Sequence, residues 1–216
     1  MIRCVLPFRM YYYEKEPDIY VINPDETYQQ KPGCLIEDIY EVEIFLDDEL
    51  LIPRVKETGG RILRSKEKWG LRDIIDMHLF PDQTLCLCPF AEQKIRLPNG
   101  FNFHDFFENL LIPYFYYQSF FEQYGYEPWK GASHGDLGIL ESYSKTAKNK
   151  NISLEILYLY LVNLSPVIQN SILKKVPIMG HHLCECGSGR IFRKCHQEAL
   201  IGYKKLLSDY SEVKLD

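Results

Sequence analysis

The stretch Asp38-Ile-Tyr-Glu-Val-Glu-Ile-Phe-Leu46 decides the fold class of this chain. Ile39, Glu41 and Glu43 alternate with Tyr40, Val42 and Ile44, a period of two that sends one set of side chains to a core and the other to water. A half-buried β-strand is therefore predicted over residues 38–46. Asp47-Asp48-Glu49 follows as a polar turn, and Leu50 to Val55 reads as the antiparallel partner. Thr58-Gly59-Gly60-Arg61 supplies a second turn. Residues 78–88 give another extended segment, interrupted by Pro81-Asp82. Together these pieces predict a short antiparallel β-meander. Upstream, Tyr11-Tyr12-Tyr13 and Tyr20 read as strand or surface packing.

Helical signals dominate downstream. Asn102 is a candidate N-cap for a helix whose aromatic face runs through Phe103, Phe106, Phe107, Leu110, Leu111, Tyr114 and Phe115. Pro113 should kink that helix or split it. Ser153 with Glu155 and Ile156 starts a further helix, expected to end near Lys174-Lys175 before Pro177. Gly180 marks a hinge, and a last helix over roughly Cys195 to Asp209 carries Leu200, Tyr203, Leu206 and Leu207 on one side. Strands first and helices afterwards imply an α+β architecture. Three segments are expected: an α+β domain over 1–150, a connecting helix over 151–179, and a cysteine-rich knuckle with its terminal helix over 180–216.

Composition bounds the function. A chain of 216 residues with 46% hydrophobic content supports one core domain and a small appendage. A formal net charge of −5 argues against direct nucleic-acid binding, which calls for a basic face. The tail is locally basic through Arg190, Arg193, Lys194, Lys204 and Lys205, either a patch for an acidic partner or a solvated helix face. Met1-Ile-Arg-Cys-Val-Leu-Pro7 has no long apolar core or small-residue cleavage site, so no signal peptide is expected. Asn163, Ser165, Pro166 and Gln169 interrupt the most apolar helix, so no membrane span is expected either. A reducing cytoplasm fits, in which the seven cysteines read as metal-binding or catalytic before disulfide-bonded.

The strongest chemical signal is Cys184-Glu-Cys-Gly-Ser-Gly-Arg-Ile-Phe-Arg-Lys-Cys195-His196. Zinc(II) favours four soft or borderline ligands in a tetrahedron, and closed Cys₃His sites are structural. Cys184 and Cys186 sit two apart, so a tight turn must bring both sulfurs to one ion. Gly187 and Gly189 give that turn its permissive backbone. Cys195 and His196, adjacent at the start of the last helix, complete the donor set. This stretch resembles the SEC-C motif, the small zinc knuckle of the preprotein-translocase motor ATPase and of many otherwise unrelated bacterial proteins. The resemblance covers residues 184–196 and implies a protein-docking module with Cys184, Cys186, Cys195 and His196 on a structural Zn²⁺. His181 and His182 precede the knuckle as competing imidazoles, and His196 fits the motif better.

The second suggestive stretch is His78-Leu-Phe-Pro-Asp-Gln-Thr-Leu-Cys86-Leu-Cys88-Pro. A nucleophilic cysteine needs partial exposure and help in forming its thiolate. His78 is a candidate for that help; the alternative is that Cys86 and Cys88 are small buried hydrophobes in a strand. The order Tyr40-Glu-Val-Glu-Ile-Phe, Pro53-Arg-Val-Lys-Glu-Thr, His78 and Leu85-Cys86-Leu87 resembles the core of ubiquitin-conjugating enzymes. Ile112-Pro113, Phe121-Glu122 and Gly125-Tyr-Glu-Pro-Trp129-Lys-Gly131 resemble the bacterial members found in antiphage defence operons. The resemblance covers about residues 35–140.

It implies a conjugating-like domain over 1–150, with Cys86 as the thioester-forming nucleophile. Cys88, two residues on in a strand, would face the other way. The implied partners are an activating enzyme, a ubiquitin-like protein or other activated protein C-terminus, and an acceptor amine. The chain departs from the animal and yeast pattern: no His-Pro-Asn triplet precedes Cys86, and no Asn lies between His78 and Cys88. Asn99, Asn102 and His104 are nearby in sequence, and none is singled out as an oxyanion donor. A non-catalytic, zinc-binding adaptor on a degenerate conjugating-like scaffold is the competing expectation. A thiol oxidoreductase using Cys86 and Cys88 is disfavoured, because such sites want two intervening residues at a helix N-terminus. His134 is expected in a glycine-rich turn, and Trp129 as a packing anchor.

Overall fold

Among the described residues four strands build one antiparallel sheet: β1 (Ile2–Tyr13), β2 (Tyr20–Ile22), β3 (Gly33–Phe45) and β4 (Arg54–Glu57), in the order β2-β1-β3-β4. The computed structural model describes residues 1–14, 19–30, 32–47, 50–71, 73–131, 133–148 and 152–213. The alternation at 38–46 holds: Tyr40, Val42 and Ile44 are buried, whereas Ile39 and Glu41 are exposed. It belongs to a longer pair, because β3 runs beside β1 from Ile2↔Ile44 to Tyr13↔Gly33. Leu6, Phe8, Met10 and Tyr12 of β1 share the buried face with Ile36 and Tyr40 of β3. The tyrosine run therefore ends a central strand. With β1 lying between β2 and β3, the sheet is not the simple meander expected from residues 38–88.

The partner strand starts at Arg54 instead of Leu50 and pairs Val42–Phe45 with Arg54–Glu57. Pro53 stands just before it and has no N–H to give a ladder. Of the turn expected before it, Asp48 and Glu49 lie outside the described residues. Residues 78–88 contribute only the bridges Leu79↔Leu85 and Lys56↔Thr84. Between them the Phe80 N–H donates to the Thr84 carbonyl at 2.8 Å, and Asp82 accepts the Thr84 N–H at 3.0 Å and its hydroxyl at 2.7 Å. Thr58-Gly59-Gly60 leads into a helix unread in the sequence, α1 (Arg61–Lys68), with Gly60 at φ 68° before its first turn.

After α2 (Phe90–Arg96), the aromatic helix is continuous with a local defect. Asn102 caps α3 (Phe103–Phe106) by accepting the Asp105 N–H at 2.8 Å, as its sequence position predicts. One π-helical turn, Phe107–Leu111, then joins it to α4 (Ile112–Tyr124). Pro113 removes the N–H that would have met the Asn109 carbonyl four residues earlier, and π turns absorb such interruptions. Arg96 supplies the missing donor, its Nη1 lying 3.2 Å from the Asn109 oxygen. Helix α4 packs its aromatic residues on the sheet, with the Tyr40 and Phe115 rings stacked at 4.2 Å. Trp129 packs against Tyr12 at 4.8 Å and stacks on Tyr116 at 5.7 Å, the anchoring role expected for it.

Asp38 falls on the buried face of β3 and needs partners there. Arg61 gives it two hydrogen bonds, at 2.7 and 2.5 Å, and Ser119 a third at 2.7 Å. Arg61 also meets Glu122 at 2.6 Å and sits 4.6 Å above the Tyr40 ring. This network ties α1 and α4 to the sheet. Burial acts to raise the Asp38 carboxyl, and the bonds from Arg61 and Ser119 outweigh it, leaving the group below its ordinary range.

The chain forms two compact units: Met1–Cys88 with Arg96–Gly131, and Pro89–Ile95 with Ala132–Asp216. The expected boundary between 150 and 151 lies outside the described residues, and the division of the contacts falls earlier. The cause is α5 (Gly135–Ala147), which packs on the terminal helix of the knuckle. The expected connecting helix is two helices, α6 (Leu154–Asn163) and α7 (Pro166–Leu173). Ser153 caps the first, accepting the Ile156 N–H at 3.3 Å. Pro166 starts the second, because a proline fits the first turn of a helix and not its interior. α8 (Phe192–Cys195) and α9 (Gln197–Glu212) finish the unit, with Leu200, Tyr203 and Leu206 buried as expected. The architecture is α+β. Among the described residues no helix is long and apolar enough to cross a membrane.

Candidate metal centre

The knuckle is a miniature hairpin closed by a helical turn. The Cys184 N–H donates to the Arg190 carbonyl at 2.8 Å and the Phe192 N–H to the His182 carbonyl at 2.9 Å, around the bridge Leu183↔Ile191. Gly187 and Gly189, at φ 74° and 72°, curl the tip. No atom lies within 4 Å of a Cβ built at either position, so backbone conformation alone calls for glycine there. Phe192 is buried with Cys184 in the core of the second unit and anchors the hairpin. Helix α8 then turns Cys195 back, and the His196 N–H closes on the Phe192 carbonyl at 2.9 Å.

The result is one cluster. The donor atoms of Cys184, Cys186, Cys195 and His196 all lie within 4.8 Å of one another. Cys186 Sγ and Cys195 Sγ are 3.5 Å apart, and Cys184 Sγ is 3.1 Å from His196 Nδ1. A tetrahedral ion with metal–sulfur bonds of about 2.3 Å needs sulfur–sulfur edges of about 3.8 Å and sulfur–nitrogen edges of about 3.6 Å. The donor types and their spacing fit a metal ion with little adjustment. Nδ1 is the imidazole nitrogen that lies against the Cys184 sulfur.

Cys184 and Cys186 titrate in opposite directions. Burial pushes the Cys184 thiol up to about 11. The Ser188 hydroxyl and backbone N–H hold the exposed Cys186 thiol down to about 6. A metal ion would bind both as thiolates and release their protons. Around the cluster Arg190, Arg193 and Lys194 are exposed, as are His181, His182 and Leu183. Ser188 joins the cluster without being one of its four donors. Its Oγ lies 3.2 Å from Cys186 Sγ and 3.1 Å from Cys195 Sγ. The available signal was a hydroxyl placed between two glycines and two residues beyond a thiol.

The Cys86 segment is organised differently. Its N–H donates to the His78 carbonyl at 2.8 Å, so the two residues do meet, through the backbone. His78 takes the left-handed conformation at φ 52°. Its carbonyl and that of Met77 both accept from the Tyr114 hydroxyl at 3.2 Å, and Gln118 Nε2 donates to Met77 at 2.8 Å. The His78 ring packs edge-on against Tyr117 at 5.3 Å. Cys86 is half-buried, and that burial raises its thiol above the ordinary range. Pairing has ended after Leu85, so strand alternation does not set the direction of Cys88, which is half-buried against the core of the first unit. The other candidates are distributed: Asn102 is occupied as a helix cap, His104 is exposed beside Asp105 and Glu108 at 3.5 Å, and His134 immediately precedes α5. That last helix begins where only a glycine-rich turn was expected.

Comparison with protein-family models, with curated proteins and with solved structures finds no match for this chain.

Proposed function

We propose that this chain is a zinc-dependent docking adaptor: an α+β scaffold carrying a SEC-C-like knuckle that binds another protein. The observation that carries this reading is the convergence of three sulfurs and one imidazole nitrogen within 4.8 Å. Cys184, Cys186, Cys195 and His196 would hold Zn²⁺ as a closed, structural ion. The ion would crosslink the hairpin to α8 and α9, in a segment too short for a core of its own. The exposed Leu183, Arg190, Arg193 and Lys194 would form the docking face. At Cys86, by contrast, burial disfavours the thiolate that a nucleophile needs.

A second reading keeps the conjugating chemistry. It is supported by the partial exposure of Cys86 and by its place directly after Leu85, next to β4. In that reading the Cys86 thiolate attacks the thioester between an activating enzyme and a ubiquitin-like protein and displaces the activating enzyme's thiolate; an acceptor amine then attacks the new thioester, forming an amide and releasing the Cys86 thiolate. The test is to incubate zinc-loaded protein with an activating enzyme, ATP and a ubiquitin-like protein. Non-reducing gels then compare it with Cys86→Ala and Cys88→Ala. The adaptor reading expects no thiol-labile adduct. An adduct lost only in Cys86→Ala establishes transfer and removes the adaptor reading.

A further inference from the structure

We infer that Ser188 is a positioning residue of the metal centre, its hydroxyl donating one shared hydrogen bond to the thiolates of Cys186 and Cys195. The inference rests on reading the four clustered donors as the ligand set. Ser188 Oγ stands 3.2 Å from one sulfur and 3.1 Å from the other, and the sulfurs are 3.5 Å apart. Three polar atoms thus form a closed triangle. A metal ion takes both sulfurs as thiolates, which have no proton to give. The only hydrogen left within the triangle is then the one on the hydroxyl.

Local structure aims it. The Arg190 N–H donates to Ser188 Oγ at 3.4 Å, which occupies an acceptor position of the hydroxyl and directs its proton elsewhere. Gly187 and Gly189, both left-handed, flank the serine, and its hydroxyl lies over the two sulfurs. Ser188 is exposed and is absent from the core of the unit, so its side chain has no packing role to confuse with this one. Hydrogen bonds to ligating atoms fix ligand orientation and spread thiolate charge, and losing one typically lowers metal affinity by about 10- to 100-fold.

The experiment loads full-length wild type, Ser188→Ala and Ser188→Thr with Co²⁺, records spectra, and measures Zn²⁺ affinity against a chromophoric chelator. The expected result for Ser188→Ala is a zinc affinity at least about tenfold weaker. Its tetrahedral d–d bands should be retained, and its thiolate-to-cobalt charge-transfer band should move to lower energy, because the sulfurs keep more electron density. Ser188→Thr, which keeps the hydroxyl, should restore both. Unchanged affinity and an unmoved band in Ser188→Ala overturn the role of Ser188 while leaving the ligand set intact. Loss of the d–d bands in Ser188→Ala overturns it differently, by showing that the serine is required for the coordination geometry itself. Absence of tetrahedral Co²⁺ bands in wild type rejects the ligand set and this inference with it.

Discussion

The two cysteine-bearing regions differ in how their chemistry is assembled. In the knuckle, thirteen consecutive residues bring four donors together, using only a hairpin, two left-handed glycines and one helical turn. Around Cys86 one neighbour is local and the others are not: His78 meets it through the backbone beside the Leu79↔Leu85 bridge, and Tyr114 and Gln118 come from α4, far along the chain, to hold the backbone of residues 77 and 78. The first region gathers reactive groups. The second buries a thiol and engages the surrounding backbone carbonyls. Thiols at close spacing mean a metal site only where short-range geometry forces the donors inward.

The largest effect expected from this contrast comes from removing a ligand. Cys184→Ala should cost the second unit on the order of 5 kcal/mol in the zinc-loaded protein, since a buried ligand and its metal are lost together. Cys86→Ala should cost the first unit no more than about 1 kcal/mol. Chemical denaturation of both variants checks the pair, and comparable losses would erase the distinction. Next in size is Gly202→Ala on α9. A Cβ there would meet the Leu140 carbonyl oxygen of α5 at 1.8 Å, so overpacking should cost about 2–3 kcal/mol. A neutral substitution, read by thermal unfolding, would mean that the knuckle helix is not fixed on α5.

A smaller, pH-dependent effect concerns the scaffold of the first unit. Asp38 has a folded-state pKa below its unfolded value, so its contribution is fully present above the ordinary carboxylate range. That contribution is lost as pH falls through the lowered value. Arg61→Gln removes the main partner and should move this loss to higher pH, which acid titration by circular dichroism can follow. The smallest effect is kinetic. With metal protecting the knuckle thiols, alkylation of Cys86 at pH 7 should be slower than that of a free cysteine, because burial keeps it a thiol. Its rate should keep rising with pH through and beyond the ordinary thiol range. Rapid alkylation at neutral pH would favour the conjugating reading.

Legibility in the sequence follows the same division. Strand β3 was readable because Tyr40, Val42 and Ile44 alternate cleanly with polar neighbours. Strand β1 places Leu6, Phe8, Met10 and Tyr12 on the buried face, but the exposed Val5, Pro7 and the tyrosine run, in which Tyr11 is buried too, mask the period of two, and only pairing with β3 reveals it as central. Helix α5 was missed because Gly135 and Gly138 look like turn residues. Gly138 is a packing requirement: a Cβ there would lie 1.7 Å from the Ser133 carbonyl oxygen. Asn102 and Ser153 were readable as caps because capping is local, whereas the π turn before Pro113 depends on Arg96. The metal cluster was legible for the reason the caps were. The surroundings of Cys86 were not, because Tyr114, Tyr117 and Gln118 reach that segment only through the packing of α4 on the sheet.

X-ray absorption at the zinc edge, on the full-length protein purified without added chelator, tests the central claim most directly. One zinc per chain is predicted, with three sulfurs at about 2.3 Å and one nitrogen at about 2.0–2.1 Å. A shell of oxygen and nitrogen only, or a chain that takes up no zinc with its cysteines reduced, would contradict the account.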